Sequence, residues 1–236
     1  MPRTWRASVG GYCYHVINRG NDRAQFFHDE DQYAGFVRLM REANVHVAMR
    51  IVGFCLMPNH IHLVLWPEGD GDLSRWMQWL LTTHVRRRHR DYRSSGHIWQ
   101  GRFHAFPIEQ DEHLLTVVRY VERNPLRANL VARAENCPWS SLREVVSPSL
   151  LPFLHPGPVA RGVGWLDHVN GAHTEKELKR LRQSVAHGVP FGNECWTQET
   201  AGRLGLESTM RPRGRPRKSK ARSGAAHEND TLFPNV

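Results

Sequence analysis

The chain has 236 residues and a strongly basic composition, with 32 Lys and Arg against 23 Asp and Glu and a formal net charge of +9. Hydrophobic residues make up 40% of the chain and aromatic residues 9%, which is enough to build a core and excludes global disorder. The basic excess favours a polyanionic partner, either nucleic acid or an anionic membrane surface. No apolar run approaches the roughly 18 residues that cross a bilayer, so we expect nucleic acid and no membrane.

The four cysteines indicate a reducing compartment. Cys13, Cys55, Cys137 and Cys195 form no CxxC pair and no cluster with histidine, so the sequence predicts neither a disulfide framework nor a zinc site. We expect reduced thiols, most of them buried. Because the first residues also lack the apolar stretch of a signal peptide, the sequence predicts a cytoplasmic protein.

The apolar pattern of the first 125 residues predicts alternating strands and helices. In chain order these are a strand over 12–18, a helix over 29–44, strands over 47–57 and 60–66, a helix from 73 into the arginine-rich segment 86–90, a strand over 103–108, and a helix from 111 that ends at Pro125. This is the order of a ferredoxin-like (RRM-like) α+β domain, an antiparallel sheet with helices on one face, here with one extra helix.

The composition changes beyond residue 141 and predicts a C-terminal extension. A segment rich in Pro and Gly comes first, two short helical patterns over 175–186 and 194–204 follow, and the last block is basic without acidic residues. We therefore divide the chain into a folded domain over 1–145, a linker or packing arm over 146–172, a small helical extension over 173–209 and a basic tail over 210–236, which is expected to be disordered when free.

Two histidines flank Ile61 in the predicted third strand. Because residues i and i+2 of a strand point to the same face, His60 and His62 project together. Two neutral imidazoles in this position can bind one divalent metal. The alternative is a pair of polar residues on a solvated face. A histidine-triad hydrolase is disfavoured because Val64 occupies the third alternating position.

The helix before Pro125 carries a tyrosine and an amide one turn apart. Tyr120 and Asn124 are i and i+4 neighbours and lie beside the apolar stripe of the helix. Amphipathic packing is the alternative for Tyr120, and a place at the C-terminus of the helix is the alternative for Asn124.

Taken together, these residues resemble the HUH single-tyrosine transposases, specifically the REP-associated tyrosine transposases of bacteria. The stretches that carry the resemblance are 11–20 (GYCYHVINRG), 57–64 (MPNHIHLV), 99–103 (WQGRF), 120–125 (YVERNP) and 139–142 (WSSL). A weaker resemblance continues through the extension to residue 218.

The resemblance implies that residues 1–145 form a catalytic domain and that His60, His62 and the side-chain oxygen of Asn124 bind Mg²⁺ or Mn²⁺. It implies that Tyr120 attacks single-stranded DNA of the REP hairpin type, which gives a 5′-phosphotyrosine adduct and a free 3′-OH without a nucleotide cofactor. A catalytically silent hairpin-binding regulator and a rolling-circle replication initiator or relaxase are the alternatives. Monomer and homodimer both stay open.

Arginines are the predicted phosphate contacts, which give affinity without sequence information. The alternatives are a solvated helix face for the internal cluster and a nonspecific anchor for the tail, whose residues 213–217 resemble an AT-hook core. DNA binding would make the cytoplasmic protein nucleoid-associated. The candidates are Arg19, Arg23, Arg86, Arg87, Arg88, Arg90, Arg102, Arg213, Arg215 and Arg217.

Overall fold

A computed structural model of the chain describes residues 8–147 and 151–211. The strands are β1 (Cys13–Arg19), β2 (Arg50–Met57), β3 (His60–Trp66) and β4 (His104–Ile108). The helices are α1 (Glu30–His46), α2 (Asp72–Tyr92), α3 (Glu112–Glu122), α4 (Asn124–Arg127), α5 (Arg143–Val146), α6 (Trp165–Asn170), α7 (Glu175–His187) and α8 (Glu194–Leu204). Among the described residues, none of the helices has the length and apolar character to span a membrane.

The four strands form one antiparallel sheet in the order β2-β3-β1-β4. This is the strand order of a ferredoxin-like domain, so the predicted α+β fold class is confirmed. The central pair is β1 and β3, in which Arg19 lies opposite His60 and Ile17 opposite His62. The C-terminal end of β1 therefore meets the histidine-bearing start of β3.

Helices cover both faces of the sheet, which corrects the prediction that they share one face. The two crossover helices, α1 and α2, pack on the face that carries Ile61 and Leu63 of β3. The extra helix, α3, packs on the opposite face against Val64 of β3 and Phe106 of β4. The physical reason is that both sides of the sheet carry apolar side chains, with Val64 and Phe106 on the α3 side, and neither side can be left to water.

The chain stays helical beyond the proline that was predicted to end the third helix. α3 ends at Glu122, and Pro125 lies in the first turn of α4. A proline is tolerated there because the first N–H groups of a helix have no intrahelical partner. As a result Asn124 begins a helix rather than ending one.

Segments of the C-terminal extension, here residues 146–209, pair with both edge strands of the sheet. At β2, the amide of His155 donates to the carbonyl of Ile51 over 2.8 Å. At β4, the amide of Phe191 donates to the carbonyl of Pro107 over 2.9 Å, and the amide of Glu109 donates back to Phe191 over 2.9 Å. The segment predicted as a linker or packing arm thus packs against the sheet, and it contains α6.

Candidate active site

The histidine pair lies on the side of β3 that faces α3. Ile61 between them is buried in the core on the other side, as the strand alternation predicts. The ring centroids of His60 and His62 lie 4.9 Å apart at an interplanar angle of 80°. His62 is buried and His60 is half-buried, so the pair lines a recess rather than a solvated face.

Both histidine rings are hydrogen-bonded through their Nδ1 atoms. The Nδ1 of His60 lies 2.7 Å from Oδ1 of Asn59, whose amide nitrogen is itself engaged with the carbonyl of Arg23. His60 therefore donates from Nδ1 and keeps a lone pair on Nε2. The Nδ1 of His62 lies 2.9 Å from Nε2 of His15, a buried residue of β1.

Tyr120 points from α3 towards this pair. Its ring centroid lies 5.8 Å from that of His62 at 89° and 6.3 Å from that of His15. The guanidinium of Arg127 donates to the tyrosine hydroxyl over 3.3 Å, and its Cζ lies 4.9 Å from the ring centroid. The fold therefore brings together a phenol, two imidazoles and a fixed positive charge.

Asn124 is buried beside Tyr120 and joined to it one helical turn away. Its amide nitrogen donates to the carbonyl of Tyr120 over 3.1 Å, and its Oδ1 accepts from Arg127 over 2.8 Å. Because an amide oxygen has two lone pairs, Oδ1 retains one acceptor position. Together with two imidazole nitrogens this oxygen would make a mixed N/O donor set, of the kind that suits Mn²⁺ and tolerates Mg²⁺.

Both histidines are neutral at physiological pH, the form that binds a metal. Burial, followed by the nearby Arg19 and Arg127, lowers the pKa of His60 to about 4. Burial, followed by neighbouring histidines and the same two arginines, holds the pKa of His62 well below its usual range. The unprotonated rings keep the lone pairs that coordination requires.

A second cluster of metal-binding residue types lies at the start of α3. Ligand atoms of Glu109, Asp111 and His113 lie within 4.8 Å of one another. Each already has a structural partner. Asp111 caps α3 by accepting from the amide of His113, and Glu109 accepts from both nitrogens of Asn193. These three residues were not predicted from the sequence.

The extension contacts the helix that bears Tyr120. The ring of His173 lies 6.2 Å from that of Tyr120, between centroids. Arg119 donates to the carbonyls of Gly171 and Ala172, over 2.9 Å each. One turn further on, Arg123 donates to carbonyls at the end of α6. The extension is thus part of the wall of the site.

A buried carboxylate on α3 joins three parts of the chain. Glu122 is fully buried, accepts from the Ser141 hydroxyl over 2.7 Å and from the Trp165 indole over 2.8 Å. Arg161 lies 3.4 Å from the same carboxylate and also donates to the carbonyl of Val52. This network connects α3, β2 and the extension.

The predicted DNA-binding arginines divide into free and engaged side chains. Arg87 is paired with Glu42 over 2.6 Å, and Arg88 donates to the carbonyl of Phe26 over 2.7 Å. The remaining candidates in the described part are exposed. Arg90 is paired with Asp91 over 2.9 Å, and the others are Arg19, Arg23, Arg86 and Arg102. Arg213, Arg215 and Arg217 lie outside the described residues.

Sequence reasoning missed three residues at the site. His15 carried a detectable signal, because it belongs to the strand next to β3 and lies in a family-like stretch. Arg127 follows Tyr120 by seven residues, which is two helical turns. A helix that ends at Pro125 does not include Arg127, so its place beside Tyr120 was not predicted. His173 had no signal, since only the fold brings the extension to α3.

The chain is similar in sequence to known proteins. The family described as "Transposase IS200 like" matches residues 8–124. A curated REP-associated tyrosine transposase of Haemophilus influenzae is 30% identical over 118 residues, 45% of this chain and 66% of the relative. The chain therefore matches just under two thirds of that relative's length.

Solved structures give a second comparison. A REP-associated tyrosine transposase bound to a REP hairpin superposes with a TM-score of 0.55 at 21% identity, over 74% of this chain and 99% of that chain. A transposase structure from Deinococcus radiodurans has a TM-score of 0.37 at 20% identity, over 51% of this chain and 96% of that one. At 21% identity the first likeness establishes a shared fold.

The fold and the site define a class of protein in which a ferredoxin-like sheet presents a histidine pair to a tyrosine on a packed helix. The matched residues 8–124 include the four strands, the histidine pair and Tyr120, and they end at Asn124. Over residues 8–124, just under half of its length, the chain matches the IS200-like transposase family.

Proposed function

We propose that the protein is a metal-dependent transposase that cleaves and rejoins single-stranded DNA through a covalent 5′-phosphotyrosine intermediate. The observation that carries this proposal is the convergence of Tyr120 on the histidine pair, with 5.8 Å between the ring centroids of Tyr120 and His62. The family match over residues 8–124 supports it, and the matching relative is named a tyrosine transposase.

In the cleavage step, the hydroxyl oxygen of Tyr120 attacks the phosphorus of a phosphodiester. The phenol gives its proton to solvent, a bond forms between that oxygen and phosphorus, the bond to the 3′ oxygen breaks, and the 3′ oxygen leaves as a hydroxyl after taking a proton from solvent. Arg127 stabilises negative charge on the phenol oxygen. Because a phenol is a better leaving group than an alkyl alcohol, a 3′-OH can reverse the step without a nucleotide cofactor.

His60 and His62 would hold Mg²⁺ or Mn²⁺ through their Nε2 atoms, with Oδ1 of Asn124 as the third ligand. When bound, the ion polarises a phosphoryl oxygen and leaves open positions for substrate and water. The chemistry of the donor set supports this assignment, since both Nδ1 atoms are already hydrogen-bonded. Asn124 also anchors the turn that carries Tyr120.

The substrate we propose is hairpin DNA of the REP type. The related solved structure contains a REP hairpin, and Arg19 ends the strand that meets His60. The exposed arginines of the candidate set would contact phosphates near the cleavage site. In this proposal residues 1–145 are the catalytic domain, residues 146–209 support α3, and the tail over 210–236, with Arg213, Arg215 and Arg217, anchors DNA in a cytoplasmic, nucleoid-associated protein.

Two alternative functions differ from the proposal in whether a covalent adduct forms and on which DNA. A catalytically silent regulator would bind the hairpin and form no adduct. A replication initiator or relaxase would form the adduct on an origin-like strand in preference to a hairpin.

The test incubates the full chain with a labelled hairpin oligonucleotide and Mn²⁺ and separates the products on a denaturing gel. We expect a covalent protein–DNA band that EDTA abolishes and Tyr120→Phe removes. Tyr92→Phe is the matched control, because Tyr92 is an exposed tyrosine on α2 and its loss should leave the band intact. Tight hairpin binding by the wild type without an adduct in either Mg²⁺ or Mn²⁺ would establish the silent regulator instead.

A further inference from the structure

His15 is a buried histidine that the proposed reaction does not use. It lies in β1 on the α3 side of the sheet and has no exposed surface. Its ring centroid lies 4.9 Å from that of Phe106, 5.1 Å from that of His62 and 6.3 Å from that of Tyr120. A polar ring therefore lies beside both His62 and Tyr120, where an apolar ring of similar size would also pack.

The contact between His15 and His62 is a hydrogen bond. Nε2 of His15 lies 2.9 Å from Nδ1 of His62, and both side chains are buried. The other ring nitrogen of His15, Nδ1, has no hydrogen-bond partner among the described residues. The polar chemistry of His15 is thus directed at His62, and an unpaired buried nitrogen is the cost of placing it there.

A neutral imidazole has one donor and one acceptor nitrogen, so this hydrogen bond determines which nitrogen of His62 carries the proton. If His62 donates from Nδ1, its Nε2 has a lone pair; if His15 donates, the Nε2 of His62 carries the proton and cannot coordinate. For His60 the structure indicates the tautomer, because Asn59 presents an acceptor oxygen to Nδ1 and this nitrogen therefore carries the proton.

We propose that His15 is a positioning residue that accepts the Nδ1–H of His62 and holds His62 in the tautomer whose Nε2 binds the divalent metal. The inference rests on the proposed function, because it concerns the same metal. Accepting at Nε2 requires His15 to carry its own proton on Nδ1, the atom without a partner. Metal binding therefore selects one arrangement of two protons across the His15–His62 pair.

The first experiment compares two variants at position 15 by Mn²⁺ affinity, measured from the EPR signal of free Mn²⁺ without DNA. His15→Phe keeps an aromatic ring beside Phe106 and removes the acceptor, whereas His15→Gln supplies an amide oxygen near the original Nε2. We expect His15→Phe to weaken Mn²⁺ binding by about 10- to 100-fold, and His15→Gln to recover most of that loss. Equal affinity in the wild type and a folded His15→Phe would overturn the inference.

The second experiment needs no variant in the measured sample. Long-range ¹H–¹⁵N correlation spectra of the wild type saturated with Mg²⁺ should show protons on Nδ1 of both His15 and His62. A proton on Nε2 of His62 under these conditions would overturn the inference, even if His15→Phe failed to fold.

The two proposals fail in different ways. If the wild type binds Mn²⁺ and forms the covalent adduct, and His15→Phe does both equally well, the role of His15 fails alone. If the wild type binds no Mn²⁺ and forms no adduct, the proposed function fails and His15 loses the metal that its role requires.

Discussion

The guanidinium of Arg127 donates to the hydroxyl of Tyr120 over 3.3 Å and lies across the face of the same ring. The same Nη2 atom donates to Oδ1 of Asn124, so one arginine links the proposed nucleophile to the proposed third metal ligand. Because guanidinium stays protonated at any physiological pH, its charge is present when negative charge develops on the phenol oxygen.

Replacing Arg127 should therefore slow chemistry more than binding. For Arg127→Gln we expect the single-turnover rate of adduct formation to fall about 100-fold, the typical effect of losing one donor at a developing oxyanion. Hairpin affinity, measured by fluorescence anisotropy, should change little. Arg133→Gln is the matched control, since Arg133 is an exposed arginine that contacts Glu135 rather than Tyr120. An unchanged rate in Arg127→Gln would remove this residue from the reaction.

Two adjacent arginines of α2 should have different roles, one in DNA binding and the other in the stability of the fold. Arg86 is exposed, whereas Arg87 forms an ion pair with Glu42 on α1. If Arg86 contacts a phosphate, Arg86→Gln should weaken hairpin binding and reduce the slope of log affinity against log salt by about 1. Arg87→Gln should leave that slope unchanged and lower the free energy of unfolding by less than about 1 kcal/mol. The reverse pattern would exchange their roles.

The buried carboxylate of Glu122 should be important for stability. Glu122→Gln removes the charge beside Arg161 and gives the Ser141 and Trp165 donors a poorer acceptor. We expect a loss of about 3 kcal/mol in the free energy of unfolding, measured by urea denaturation. Glu112→Gln, at an exposed position on the same helix, should cost less than about 0.5 kcal/mol. Equal stability of the two variants would show that the network is not stabilising.

His84 predicts a specific pH dependence of stability. Burial, followed by the charge of Arg88, lowers the pKa of His84 to about 4, against about 6.5 in an unfolded chain. Between these values the unfolded chain binds a proton that the folded protein does not. The stability that the neutral ring provides is therefore complete above about pH 6.5 and is lost as the pH falls, to a total of about 3 kcal/mol near pH 4.

The measurement is the free energy of unfolding between pH 7.5 and pH 4 for the wild type and His84→Leu. The variant should lose about 3 kcal/mol less than the wild type across this range. His97→Gln, which removes an exposed histidine, should follow the wild type. Parallel curves for the wild type and His84→Leu would contradict the prediction.

Local patterns predicted the parts of the site that one element contains. The bounds of β3 were predicted to the residue, and strand alternation alone places His60 and His62 on one side. Helical spacing likewise paired Tyr120 with Asn124. The order of strands and helices along the chain predicted the ferredoxin-like class, and the sheet has the strand order of that class.

Local patterns could not predict contacts between elements that are far apart in the sequence. His15 is 47 residues from His62 along the chain, and only the β1–β3 register brings them together. The salt bridge of Arg87 depends on how α1 packs on α2, so composition alone assigned every arginine of that cluster to DNA. Burial of both faces of the sheet could not be predicted either, because no local pattern shows that α3 packs on the face opposite α1 and α2.

The pairing of the extension with both edge strands bears on how two copies of this chain can associate. An exposed edge strand is a template on which a second molecule can continue the sheet. Here, within the described residues, Ile51 of β2 and Pro107 of β4 already have backbone partners from the same chain. A second copy that extended the sheet at either point would have to displace the segment of the first copy that is already paired there.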